Sequence, residues 1–184
     1  SVRRMLGIFH SLLDVSKMEA GQLNLCRTDC DLVAMGRETL NSYEPMRRKR
    51  QFVVEASSES LVVSADQDLI LRVLQNLVGN ALKYAPQESV VRLGIQSGET
   101  VTRVSISDSG CGIAPEFHAR IFTKFGQVKS IGPRVGTGLC LTFCKLAVEA
   151  HGGRVGLESE VGKGSTFWVE LPFTAPNPSD SPIQ

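Results

Sequence analysis

The sequence predicts an α+β fold: a two-layer sandwich of helices against a mainly antiparallel or mixed sheet. Two observations predict it. Segments with helical and with strand periodicity interleave along the chain without a strict strand-helix-strand repeat. The 184 residues are also 42% hydrophobic and 21% charged, enough to bury one core plus an accessory element.

The elements follow in order. VRRMLGIFHSLLDVSKMEAG places Met5, Ile8 with Phe9, Leu12, Val15 and Met18 at spacings of three and four, an amphipathic helix stopped by Gly21. No cap and no initiator methionine precede it, so the sequence is expected to be a piece of a longer chain. A second helical pattern runs from Leu32 to Arg47 behind an Asp31 cap. It ends in Arg47, Arg48, Lys49 and Arg50, expected to be a solvated helix end near the C-terminal dipole. QFVVEA and LVVSA, separated by Ser57, Ser58, Glu59 and Ser60, read as a hairpin. Asp66 starts a long helix carrying Leu69, Val73, Leu77, Ala81 and Tyr84, which stops before Pro86. Strands are expected at about Val90 to Gln96 and Val101 to Ser107, and a short helix around Pro115 to Phe122. A glycine-punctuated segment spans Lys124 to Gly138, followed by a helix from Leu139 to Ala150 and strands in RVGLES and STFWVEL. TAPNPSDSPIQ reads as a tail or linker.

Composition excludes several classes. Twenty Lys and Arg against nineteen Asp and Glu leave a formal net charge of +1, so no global field draws the chain to nucleic acid or an acidic membrane. No apolar run approaches the roughly 18 residues of a membrane span, and no secretory signal opens the sequence. Cys26, Cys30, Cys111, Cys140 and Cys144 are an odd set in a chain that needs no staples, which suits a reducing compartment and places the segment in the cytoplasm. Neither Cys-x3-Cys pair has metal-site spacing, and His10, His118 and His151 are scattered, so buried thiols are the expectation.

The chemistry lies in three glycine clusters and one asparagine-bearing helix. GLESEVGKGST is no P-loop: five residues separate Gly156 from Gly162, Gly164 follows Lys163, and a strand comes next. The Gly136-Thr137-Gly138 run lacks the third glycine of the dinucleotide fingerprint. Asn76, Asn80 and Lys83 share one helix face. An asparagine oxygen suits Mg²⁺, which keeps several waters and bridges substrate phosphates, and lysine supplies a mobile positive charge for a phosphate.

LQNLVGNALKYA, DSGCGI, IFTKFGQ and GTGLCL, closed by EVGKGSTFWVELP, occur in the order of the N, G1, F and G2 boxes. Over roughly Asp66 to Pro172 the chain resembles the catalytic, ATP-binding domain of two-component sensor histidine kinases. That family shares its fold, the Bergerat or GHKL fold, with DNA gyrase B, the Hsp90 chaperones and the MutL proteins. The resemblance implies that Asp108 accepts a hydrogen bond from the adenine amine while Gly110 and Gly112, followed by Ile113, let the backbone close on the nucleotide. A carboxylate there selects an amino purine over a keto one, because a carbonyl would set two acceptors face to face. It implies Asn80 as the Mg²⁺ ligand, Asn76 supporting the phosphate end, Lys83 on a phosphate and Tyr84 bordering the base. Phe122 and Phe125 would pack the base of a lid. Lys124, Lys129 and Arg134 are candidates for the γ-phosphate, a solvated charge being the alternative for each. Gly136, Thr137, Gly138 and Leu139 lead into a helix whose first N–H groups can hold phosphate oxygens.

The ATP-hydrolysing relatives carry a glutamate four residues before the magnesium asparagine; here that position is Asn76, and an amide is no general base. The resemblance therefore implies phosphoryl transfer, in which positioning and charge neutralisation do most of the work. The acceptor motif of the family, like H-E-x-R-T-P, does not occur in these residues. LLDVSKMEAGQL resembles the second helix of the dimerisation hairpin, so His10 is read as a helix-surface or interface residue. The implied organisation is a partial hairpin over 1–24, a catalytic domain over 25–173 and a tail over 174–184. The implied partners are ATP or ADP, a response regulator receiver domain and a second copy through the hairpin, with no nucleic acid or membrane contact. Cys140 stands where the G2 pattern has glycine. That departure leaves open a degenerate module acting through protein contacts.

Overall fold

The computed structural model describes residues 12–126 and 138–173. Met5, Ile8, Phe9 and His10, the segment 127–137 and the tail lie outside the described residues. Residues 12–19 form the first helix, α1, ended by Gly21 at φ +66°. There follow β1 (Arg27–Asp31), α2 (Leu32–Ser42), α3 (Glu44–Arg47), β2 (Gln51–Ala56), β3 (Val62–Asp66), α4 (Gln67–Tyr84), β4 (Val90–Ser97) and β5 (Val101–Asp108). Two short 3₁₀ turns, Pro115–Phe117 and Arg120–Phe122, precede α5 (Cys140–Ala150), β6 (Arg154–Glu160) and β7 (Gly164–Pro172).

The expected α+β sandwich is present. A mixed five-stranded sheet runs β2-β4-β5-β7-β6, parallel only between β2 and β4, and β1 pairs with β3 in a separate two-stranded sheet. Alternation decides the layers. Val91, Leu93 and Ile95 of β4, Val104 and Ile106 of β5, and Phe167, Val169 and Leu171 of β7 face the helices. Against them pack Val73, Leu74, Leu77 and Ala81 of α4 and Phe143, Cys144, Ala147 and Val148 of α5. The other face is polar and held by charge: Arg103 lies 4.3 Å above the Trp168 ring and, with Arg154, binds the buried Glu170 at 2.7 and 2.8 Å. The Arg103 hydrogen bond leads the forces holding the Glu170 carboxyl below its usual value, against its burial.

Four local expectations are corrected. β2 and β3 do not form a hairpin: Phe52, Val54 and Ala56 pair in register with Val91, Leu93 and Ile95, whereas Val63 pairs with Cys30 of β1. β1 escaped the sequence reading because RTDCD buries only Cys30 fully. The second helix stops at Ser42 and restarts at Glu44, because Pro45 has no N–H for the Asn41 carbonyl and its ring collides there. The helix expected around Pro115 to Phe122 is two 3₁₀ turns. Finally, Arg50 is not a solvated helix end; it is buried against the end of α4.

His151 ties α5 to the start of α4. Fully buried, it donates from Nδ1 to the Ala147 carbonyl at 2.6 Å and accepts the Asp66 N–H at Nε2 at 2.9 Å, which fixes the neutral Nδ1–H tautomer. Burial pushes its pKa below the usual 6.5; Arg27 pushes the same way, while the Ala147 bond and Asp66 oppose. The folded state therefore binds this proton later than the unfolded one, so its contribution is whole above pH 6.5 and is lost as pH falls below that value. Urea unfolding between pH 7.5 and 5.5 is expected to show a midpoint that falls with acid, and His151→Gln to flatten that slope. A parallel slope in the two proteins would remove His151 as its source.

Candidate nucleotide site

Asp108 is the last residue of β5, on the inward face with Val104 and Ile106, and is 8% exposed. Its Oδ1 accepts the Gly110 N–H at 2.8 Å, and no second protein donor reaches the carboxylate among the described residues. Desolvation raises its pKa above the usual carboxylate value, with the Gly110 N–H partly offsetting it. The result is a buried acceptor with one uncommitted oxygen at the end of a strand.

Glycines make room for it. A Cβ on Gly110 would lie 2.6 Å from Asp108 Oδ1 and 2.9 Å from the Tyr84 carbonyl oxygen, so the turn rests on the last residue of α4. Gly112, at φ +72°, packs against the Glu160 carbonyl with no space for a side chain. The Ile113 N–H binds Ser159 Oγ at 2.8 Å and its carbonyl binds His118 Nε2 at 2.9 Å. Ser159 Oγ also contacts Ser165 Oγ at 2.9 Å, and Ser165 pairs in register with Asp108. The sequence reading did not single out Ser165, although its place directly after Gly164 on the neighbouring strand was the available signal.

α4 brings Asn76, Asn80, Lys83 and Tyr84 along its last turns, all half-buried. They part in direction. Asn76 lies beside the Cys144 thiol of α5, which donates to the Val73 carbonyl of α4 at 3.8 Å, while Asn80 lies one turn nearer the Asp108 end. Lys83 Nζ sits 4.9 Å from the Tyr84 ring centroid, a cation over an aromatic face. Among the described residues no group of three His, Cys, Asp or Glu could hold a metal ion, so a cation here would depend on Asn80 and on phosphate.

The segment leading into α5 is described in part. Lys129, Arg134, Gly136 and Thr137 fall outside the described residues. Gly138 has φ +68° and its carbonyl accepts the Phe125 N–H at 3.1 Å; Leu139 is buried and caps α5 without a side-chain hydrogen bond. Lys124 is ion-paired with Glu19 of α1. A second pair, Asp14 to Arg72 at 2.7 Å, also holds α1, and Arg72 stacks on Phe143 at 4.2 Å. Phe122 packs edge-on to Phe167, and Phe125 is 63% exposed. Cys140 is the first residue of α5 and exposed, and its φ is not positive, so the strain a non-glycine residue would suffer at positive φ does not arise. Cys26 and Cys111 are exposed as well, which corrects the expectation of buried thiols; Cys30 and Cys144 are buried, and burial pushes the Cys144 thiol far up.

Residues 65–175 match the family described as histidine kinase-, DNA gyrase B-, and HSP90-like ATPase, and the chain belongs to that family. Within it, the fold is that of histidine kinase catalytic domains. Hybrid signal transduction histidine kinase D of Dictyostelium discoideum is 32% identical over 183 residues, covering 95% of this chain and 12% of the relative. Full-length ShkA in complex with AMPPNP superposes with a TM-score of 0.83 at 27% identity, over 98% of this chain and 37% of that one. Histidine kinase ThkA in complex with the response regulator protein TrrA gives 0.75 at 26% identity, over 98% and 49%. The chain spans between 12 and 29% of the length of the first curated relatives it matches.

Gly164 tests the cradle. It has φ +108°, and a Cβ there would run into the Asp108 carbonyl oxygen. Gly164→Ala is expected to cost about 2 kcal/mol or more, from backbone strain and overpacking together. Urea unfolding checks it, and a loss within error of zero would show that the strand end yields freely.

Proposed function

We propose that this chain binds ATP or ADP with Mg²⁺ and is the phosphoryl-donating domain of a sensor histidine kinase. Its residues 1–24 would belong to a dimerisation hairpin, 25–173 to the catalytic domain and 174–184 to a tail or linker. The observation that carries the reading is Asp108: a desolvated carboxylate, one oxygen committed to Gly110, the other open to an exocyclic amine. The family match and the AMPPNP bound by ShkA support the same ligand class.

The residues fit an adenine nucleotide. Asp108 would read the amine, Gly110, Gly112 and Ile113 the base edge, and Tyr84 its border. Lys83 would meet a phosphate, as would the first N–H groups of α5 behind Gly136, Thr137, Gly138 and Leu139. Lys124, Lys129 and Arg134 remain candidates for the γ-phosphate, Lys124 only on leaving Glu19. When bound at Asn80, Mg²⁺ would supply charge neutralisation at the phosphates. In the transfer, a nitrogen of an acceptor imidazole bonds to the γ-phosphorus while the bond from that phosphorus to the leaving ADP oxygen breaks. The chain's part is to hold the donor in line and to neutralise its charge. Asn76, an amide, cannot activate water, which favours transfer over hydrolysis. The response regulator bound to ThkA supports a receiver domain as the onward partner, and a homodimer would form through the proposed hairpin, on the cytoplasmic side.

Isothermal titration of ADP and Mg²⁺ tests the reading. Asp108→Asn is expected to weaken binding by about tenfold or more, since an amide can turn its donor toward the adenine amine. Because the Asp108 pKa is raised, the parent's affinity is expected to fall with acid at pH values above the ordinary 3.8, as the carboxylate protonates. In Asp108→Asn, which shares the phosphate titration but has no carboxylate to protonate, that excess fall should vanish. Equal affinities in the two proteins would contradict the adenine assignment.

A further inference from the structure

We infer that Arg50, which no ligand would touch, is a positioning residue that sets where Asp108 meets the purine. The inference rests on the nucleotide reading above. α4 ends at Tyr84 because Ala85 turns to ψ 132° ahead of Pro86. The last carbonyls of a helix have no partner within it, and Ala85 is too deeply buried for water to serve. Arg50 supplies the donors: Nε at 3.2 Å and Nη2 at 2.6 Å both reach the Ala85 carbonyl oxygen.

Arg50 is only 9% exposed, and a cation at a helix C-terminus is favoured by the peptide dipoles. Its own backbone is held, since Arg47 Nε donates to the Arg50 carbonyl at 2.7 Å. The strap continues on both strands of chain. Lys49 pairs with Glu88 at 2.9 Å, the Gln51 N–H binds the Ser89 carbonyl at 2.9 Å, and Ser89 Oγ donates to the Pro86 carbonyl at 2.6 Å.

One residue back lies the nucleotide site. Gly110 packs on the Tyr84 carbonyl oxygen, and the Gly110 N–H holds Asp108 Oδ1. Two consecutive carbonyls thus connect Arg50 to Asp108: Ala85 is gripped from one side, and Tyr84 carries the Asp108 turn on the other. Without the Arg50 donors, the Ala85 carbonyl is a buried acceptor with no partner, and the terminal turn of α4 must shift to find one. Gly110 moves with that turn, and the carboxylate loses the placement that separates an amino purine from a keto one. A clamp that only added stability would leave that selectivity alone.

The experiment is the ratio of affinities for ADP and IDP, each with Mg²⁺, by isothermal titration. The proteins are the parent, Arg50→Met, Arg50→Lys and Val63→Ala, the last a destabilising control in the separate β1-β3 sheet. The parent is expected to prefer ADP by about tenfold or more. Arg50→Met, which keeps the stem and loses the donors, should cut that ratio about fivefold or more, and Arg50→Lys about twofold to threefold. Val63→Ala should keep the parent's ratio. If Arg50→Met does not fold, Arg50→Lys decides alone. An unchanged ratio in the Arg50 variants overturns the role of Arg50 while leaving the adenine reading intact. A parent with no preference for ADP overturns the adenine reading itself, and the inference with it.

Discussion

A carboxylate is held largely out of water at the end of β5 with one backbone N–H for company, and much of the surrounding chain is arranged around it. Desolvation works against the ionised form of Asp108, and the Gly110 N–H recovers only part of the cost. To bring the backbone close enough, the chain uses glycine on three sides. Gly110 lies against Asp108 and Tyr84, Gly112 against Glu160, and Gly164 against the Asp108 carbonyl itself. Two of the three sit at positive φ, where a side chain would add strain to collision. Stability is given up locally to keep a hydrogen-bond acceptor poised, a pattern typical of binding sites.

α4 is the element through which the rest of the molecule holds that site. At its start, the Asp66 side chain accepts the Leu69 and Cys26 N–H groups while His151 takes the Asp66 N–H, so β1, α4 and α5 share one junction. In its middle, the Cys144 thiol of α5 donates to the Val73 carbonyl at 3.8 Å, and Arg72 spans from Asp14 of α1 to the Phe143 ring. At its end, Arg50 grips Ala85. The polar outer face of the sheet is stabilised separately, by Glu170 between two arginines beside Trp168. Substitutions there and substitutions near α4 should therefore act through different parts of the fold.

The sequence disclosed the elements whose signals are local. The Asp31 and Asp66 caps, the Pro86 stop and the β4, β5, β6 and β7 strands are written in capping residues, breakers and alternation. The four ordered boxes disclosed the family. Pairing was not legible, because it depends on distant partners: β2 and β3 look like a hairpin until β1 and β4 claim them. Arg50 was illegible for a related reason. Within a run of four basic residues nothing marks the one whose guanidinium is buried, since the carbonyl it serves lies 35 residues away. The nearness of Asn76 to Cys144 was hidden likewise, because helical spacing gives a shared face but not what lies against each part of it.

The account stands on Asp108 reading the purine amine, and a crystal structure of the chain with ADP and Mg²⁺ tests that most directly. It predicts the exocyclic nitrogen of adenine within about 3 Å of the Asp108 carboxylate, with the Gly110 N–H still on Oδ1. A bound ADP whose exocyclic amine is hydrogen-bonded elsewhere, leaving Asp108 with Gly110 alone, would contradict it.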